Sequence, residues 1–414
     1  MKKLSFWIFA LVGLSLAACD SPSTTTIKNG TWRATLLRDG HTLPFLLDIE
    51  TNSDGQTYSA YALNGTERFK MDTAYVENDS LHIPVELYDS ELIGKIGEDK
   101  LTGVWRESRP GQPVGELPFE AVYGQAYRFF EQGIIASGVS VGGKWAVKFV
   151  TENPADSYEA VGIFEQKGSE LTGTFLTPTG DYRYLAGNVK GDSMYLSCFD
   201  GTHVFLFTAA LQSDGTLSGE AFYGLTSYET WTARPDANAK LPDANTLTFI
   251  KPGYDSFDFK FPNADGNMVS LQDAAFKNKV VVVQIMGSWC PNCMDETRFL
   301  APWYKKNRDR GVEIVGLAFE RSGKLEDSAP KLRKMAQRYD VYYPMLLAGT
   351  SDKDSAAASL PMLNHVMSFP TTIVLDKKHN VRNIHTGFSG PGTGKYYDEF
   401  VADFNRLVDK LVQE

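Results

Sequence analysis

Residues 30–232 are cut into short segments in which apolar and polar side chains alternate, and a period of two commits a chain to strands rather than helices. Trp32-Arg33-Ala34-Thr35-Leu36, Leu81-His82-Ile83-Pro84-Val85 and Tyr195-Leu196-Ser197-Cys198-Phe199 are of this kind, and Val204-Phe205-Leu206-Phe207 is a short strand-length apolar run among them. Asp39-Gly40, Asp54-Gly55, Asn64-Gly65 and Asp214-Gly215 fall between such runs. These dipeptides supply the positive φ that tight hairpin turns need. An all-β region of antiparallel sheet, sandwiched or barrel-like, is the expected architecture.

The region also repeats at an offset of 113: Gly30 with Gly143, Trp32 with Trp145, Gly55 with Gly168, Val76 with Val189, Asp79-Ser80-Leu81 with Asp192-Ser193-Met194, and Ile83 with Leu196. After a three-residue slip, Leu101-Thr102-Gly103 matches Leu217-Ser218-Gly219. Two related β units are expected, at 30–125 and 143–232, joined by 126–142.

Composition then shifts. Residues 233–253 repeat proline with small polar residues and no buried face, as a linker does. From Tyr254 to the end, strand and helix patterns alternate. Val280 to Ile285 is an apolar run but for Gln284, suited to a strand buried on both faces. A helix over 294–310 broken near Pro302, strands over 312–319, 343–347, 371–376 and 381–386, and helices over 328–339 and 396–412 complete an α/β unit at 254–414.

The N-terminus is a different kind of segment. Lys2 and Lys3, an apolar stretch from Leu4 to Leu16, and Ala17-Ala18-Cys19 describe a secretory signal over residues 1–18. Leu16-Ala17-Ala18-Cys19 resembles the bacterial lipobox, which implies cleavage before Cys19, its acylation, and membrane attachment through a lipidated tether over residues 19–29. Beyond it no apolar run reaches the roughly 20 residues of a spanning helix. With 41 basic against 51 acidic residues the net charge is −10, which disfavours nucleic acid as a partner.

Of the four cysteines, Cys19 belongs to the anchor, and Cys198 aligns with Val85 at the repeat offset, as a small core residue would. Cys290-Pro291-Asn292-Cys293 lies between the buried strand and the first helix of the α/β unit. Zinc is disfavoured as its ligand, because no second C-x-x-C and no close histidine pair completes a four-ligand set. A structural disulfide gains little from closing a two-residue loop. At a helix N-terminus, unpaired N–H groups and the dipole favour a thiolate on Cys290, which attacks a partner disulfide and is released by Cys293. No metal and no dissolved cofactor are called for; the redox group is the Cys290–Cys293 disulfide itself.

Phe257-Asp258-Phe259, Asn263-Ala264-Asp265-Gly266-Asn267, Val269-Ser270-Leu271, Lys279 through Ile285, Gly287-Ser288-Trp289-Cys290-Pro291-Asn292-Cys293, and Ser368-Phe369-Pro370-Thr371-Thr372-Ile373-Val374-Leu375-Asp376 together resemble the TlpA/ResA-like branch of the thioredoxin superfamily. The resemblance covers about residues 251–414 and implies a thioredoxin fold there. It makes Cys290 the nucleophile, Cys293 the resolving thiol, and Pro370 a cis-proline beside the dithiol, with Phe369 next to the substrate backbone. Trp289 would shield the pair, and Trp289, Pro291 and Asn292 join Phe369 and Pro370 as the residues expected to bind the substrate. Glu296, three residues after Cys293 on one helix face, stands where the family places a glutamate and becomes the acid/base candidate. Thioredoxin's buried aspartate is replaced here by Gln284, and a neutral amide is no base. Ser368-Phe369 departs from the small and aliphatic pair usual before the cis-proline, and His365 is expected on a helix face rather than in catalysis.

The expected function is therefore a lipid-anchored thiol-disulfide oxidoreductase of the cell envelope, facing the periplasm or exterior. It would reduce disulfides of envelope proteins, with electrons from a membrane donor. Its dipeptide supplies no cation to stabilise a thiolate, which points to a reducing or weakly oxidising dithiol. Two alternatives remain: a binding or scaffold lipoprotein whose β region captures a ligand, and, less readily, a peroxidase, for which the chain lacks a Thr-x-x-Cys before the first helix.

Overall fold

The computed structural model describes residues 26–131 and 139–414; the expected signal peptide, Cys19 and most of the tether lie outside the described residues. Alternation is realised as two nine-stranded antiparallel sheets, each closing on itself. In the first, strands from Gly30–Arg38 to Gly115–Tyr123 follow in up-and-down order, and the first strand pairs with the last. One short strand, Glu67–Lys70, pairs only with Thr57–Asn64 and stands outside the ring. In the second, Gly143–Val150 pairs with Ser227–Pro235 to close the ring, and Gly180–Asp181 is the strand left outside. Both regions are thus eight-stranded barrels with an appended hairpin. Closure removes the sheet edges that an open meander would expose.

The residues that repeat in sequence do the same work in both rings. Trp32 Nε1 donates to the Lys28 carbonyl at 3.0 Å, and Trp145 Nε1 donates to the Val141 carbonyl at 2.9 Å. A Cβ on Gly103 would lie 2.0 Å from the Ile93 carbonyl oxygen, and one on Gly219 would lie 1.9 Å from that of Thr208. Only glycine permits these strand approaches. Inward positions fill the rings: Trp32, Phe45, Ile49 and Trp105 in the first, Trp145, Phe149, Phe175, Phe207 and Trp231 in the second, all buried. Cys198 is among the buried residues of the second core, and Val85, at the matching offset, is buried in the first.

The C-terminal unit is a five-stranded sheet in the order β3-β2-β1-β4-β5, where β1 is Val280–Met286, β2 Val312–Glu320, β3 Met345–Thr350, β4 Thr371–Leu375 and β5 Val381–Thr386. Pairings β1–β2 and β2–β3 are parallel, while β1–β4 and β4–β5 are antiparallel. Every residue of β1 is buried, the single polar one, Gln284, included. Helices α1 (Pro291–Asn307), α2 (Leu325–Tyr339), α3 (Lys353–Ser359) and α4 (Lys395–Gln413) cover the sheet. This is the thioredoxin arrangement.

Three expectations are corrected. The first helix begins at Pro291, not near 294, because Cys290 is its N-cap and proline, which has no N–H to leave unpaired, fits the first helical position. Nor does Pro302 interrupt it: the helix continues to Asn307, held by the buried side chains of Leu300, Ala301, Trp303 and Tyr304 around the proline. His365 is not on a helix face; it is exposed, in irregular chain between α3 and β4.

The three bodies pack on one another. Phe45 and Phe199 stack between the barrels with ring centroids 4.2 Å apart. From the first barrel, Asp89 meets Arg321 and Lys331, and Asp72 meets Lys334 and Arg338 at 3.2 Å each. The second barrel reaches the redox unit at the start of α1, where the dithiol lies.

Candidate active site

Strand β1 delivers the chain to Gly287-Ser288-Trp289, and Cys290 follows as the N-cap of α1. Its Sγ accepts the Cys293 N–H at 3.2 Å and donates to the Phe369 carbonyl at 3.5 Å. The Phe369–Pro370 peptide is cis. Cys290 is 6% exposed, and Cys293, one turn into the helix, is 0% exposed. Both are free thiols. Burial, reinforced by the hydrogen bond to Cys290, pushes the Cys293 thiol well above its ordinary range. An outward sulfur at the helix start backed by a proton-retaining one beneath it is the asymmetry that dithiol exchange uses.

Below the pair lies a closed polar set. Glu296 is 0% exposed, so it is no solvated helix residue. Burial pushes its carboxyl up to about 7, against hydrogen bonds from Thr372 and Gln284 that pull it down. Gln284 Nε2 donates to Glu296 Oε2 at 2.9 Å, and the Thr372 hydroxyl donates to Oε1. The amide at 284 thus orients the carboxyl. On the other flank, Glu320 accepts from the Ser288 N–H at 2.8 Å and the Ser288 hydroxyl at 2.6 Å, fixing the loop before Cys290. Trp289 Nε1 donates to the Phe319 carbonyl at 2.9 Å, and its ring meets Phe369 edge-on, with centroids 5.7 Å apart.

Trp289, Cys290, Pro291, Asn292 and Phe369 line one groove. Cys293, Glu296 and Pro370 sit behind it. Cys19 lies outside the described residues.

Sequence reasoning did not find the opposite wall, which comes from the second barrel. Asn292 Nδ2 donates to the Asp181 carbonyl at 3.1 Å, and Ser368 Oγ donates to the Thr179 carbonyl at 2.5 Å. Asp181 Oδ2 accepts the Gly390 N–H at 2.7 Å; burial pushes this carboxyl up to about 6. Two residues on, Arg183 is 1% exposed at a left-handed φ of 54°. Its guanidinium meets Asp295 of α1 at 2.7 Å, Asp200 of its own barrel at 2.6 Å and Glu67 of the first barrel at 2.5 Å. Burial disfavours the cation, but Asp295, Glu67 and Asp200 outweigh it and hold the guanidinium well above its ordinary pKa. Residues so far apart in the chain carry no local signal of meeting.

A buried-strand-to-helix dithiol, a cis-proline against the first sulfur and a buried carboxyl behind the second define a thiol-disulfide oxidoreductase of thioredoxin fold. Residues 237–399 match the Redoxin family model. The thioredoxin-like protein YneN of Bacillus subtilis is 32% identical over 138 residues, which span 33% of this chain and 73% of that protein. The thiol-disulfide oxidoreductase ResA of the same organism is 27% identical over 138 residues, 33% of this chain and 69% of its own. A thioredoxin-family thiol:disulfide interchange protein of Chlorobium tepidum superposes with a TM-score of 0.29 at 20% identity, covering 42% of this chain and 99% of that one. Through its C-terminal unit the chain belongs to the ResA-like thioredoxin family.

Proposed function

We propose that the chain is a lipid-anchored envelope protein that reduces disulfides of partner proteins through Cys290 and Cys293. The observation that carries this reading is the placement of Cys290 Sγ, capped by the Cys293 N–H and set against Phe369 and the cis-proline. Cys290, as the thiolate, attacks one partner sulfur. A Cys290–partner bond forms, the partner disulfide breaks, and the leaving thiolate takes a proton. Cys293 then loses its proton and attacks Cys290 Sγ. The mixed disulfide breaks, the second partner thiol leaves, and the protein holds the Cys290–Cys293 disulfide. The partner has gained the two electrons that the dithiol lost. Glu296, whose carboxyl titrates at about 7, is the group that takes the Cys293 proton. A membrane donor restores the dithiol by the same exchange. Among the described residues no helix is long and apolar enough to cross a membrane.

Insulin disulfide reduction by the full chain tests the chemistry. Wild type turns over, Cys290→Ser does not, and Cys293→Ser accumulates mixed disulfides whose partners can be named. Equal rates in wild type and Cys290→Ser would overturn the reading. Fatty-acid labelling that is lost in Cys19→Ala tests the anchor.

A further inference from the structure

The groove in front of Cys290 encloses about 560 Å³, and half of its lining belongs to the second barrel. Tyr158, Tyr182, His203 and Phe205 stand at the barrel's mouth, and the Thr177–Asp181 hairpin forms the rim. The mouth is aromatic: the Tyr182 ring centroid is 5.4 Å from that of Phe205 and 5.3 Å from that of Phe207. Tyr158 donates to Glu229 at 2.9 Å, and its hydroxyl is 2.7 Å from that of Tyr182. With their hydroxyls so engaged, the tyrosines offer the groove ring surface. The one carboxylate on the lining, Asp181, is occupied by the N–H groups of Arg183 and Gly390. Facing this mouth across the dithiol are the Trp289 and Phe369 rings.

The rim is fixed at both ends of the reactive surface, at Asn292 in the dithiol loop and at Ser368 before the cis-proline. A partner's disulfide therefore reaches Cys290 only by entering between rim and helix. The flat face of a folded protein meets the barrel first, whereas a flexible segment passes.

We propose that the mouth of the second barrel is a side-chain subsite of the dithiol, selecting cystines on flexible polypeptide segments that carry an aromatic residue next to the cysteine. The proposal rests on the reading that Cys290 attacks partner disulfides. Apolar pockets at barrel mouths are a common ligand position, and an aromatic side chain gains from burial there in proportion to the apolar surface it removes from water.

Two disulfide-linked peptides that differ only in phenylalanine or glycine beside the cysteine provide the test. The full-length wild type is expected to favour the phenylalanine peptide at least about tenfold in kcat/KM. Phe205→Ala should cut that preference to under about threefold. Thr179→Trp, at an exposed position on the rim, should slow both peptides by narrowing the entrance, and its position does not threaten the fold. Equal wild-type rates on the two peptides, with Cys290-dependent turnover intact, would overturn the subsite and leave the oxidoreductase reading standing. Turnover that survives in Cys290→Ser would sink the oxidoreductase reading itself.

Discussion

The two barrels share strand order, closure and an appended hairpin, yet they face the dithiol differently. The first-barrel hairpin ends in Glu67–Lys70 and sends Glu67 into the buried ion cluster, while Arg68 turns back to Asp48 and Glu50 of its own barrel. The second-barrel hairpin ends in Gly180–Asp181 and lies against the reactive loop. At the repeat offset Lys70, which is exposed, corresponds to Arg183, which is buried. Two barrels of one plan thus serve separate duties through a few residues on one hairpin.

The largest test of that contrast exchanges charge for shape at the matched pair. Arg183→Met should cost about 3–5 kcal/mol, because it removes the one buried cation that Asp295, Glu67 and Asp200 share and leaves them only Arg298 and His203 at the margin, whereas Lys70→Met should stay within about 0.5 kcal/mol. Denaturant melts of both variants read the difference, and equal losses would erase the distinction between the hairpins.

A control outside both barrels comes next. Burial raises the Glu296 carboxyl from 4.5 to about 7, so its folded form holds a proton that the unfolded chain would release. Wild-type stability is then greatest below about pH 4.5 with respect to this group and declines as pH rises through about 7, by at most about 3 kcal/mol. Glu296→Gln removes that decline. It also flattens the rise in turnover through pH 7 that ionisation of Glu296 gives, which stability and rate profiles across pH 5–8 will show.

Smaller and deliberately symmetrical are Gly103→Ala and Gly219→Ala, which drive a methyl into a carbonyl oxygen in each ring. Each should cost roughly 1–3 kcal/mol, and a marked inequality would show that the two closures differ in tolerance. Smallest is Asn292→Ala, which removes one hydrogen bond to the second barrel and should cost about 1 kcal/mol, read as a lowered melting temperature.

The dithiol, its strand, its helix and the cis-proline were legible because each is written in contiguous residues: an apolar run, C-x-x-C, and Phe369-Pro370. The barrels were legible as alternating strands repeated at a fixed spacing, since Trp32 and Trp145 or Gly103 and Gly219 do the same local work. Closure of the rings was left open between barrel and sandwich, because pairing of first strand with last has no local mark. Glu296 could be named as a candidate, but its burial depends on Thr372 and Gln284, which only the sheet brings beneath α1. The wall formed by Thr179, Asp181 and Phe205 was invisible for the same reason, and so was Arg183, whose left-handed backbone and three acidic partners belong to the assembled chain.

Arg183 has a consequence for how the enzyme can be handled. Its three carboxylates come from both barrels and the redox unit, so severing the barrels would leave Asp295 with Arg298 alone as counter-ion on the reactive helix and bare the cleft on one side. An isolated C-terminal fragment would keep its sulfurs but present another entrance to its substrates. Rates measured on such a fragment describe a less discriminating catalyst than the intact chain.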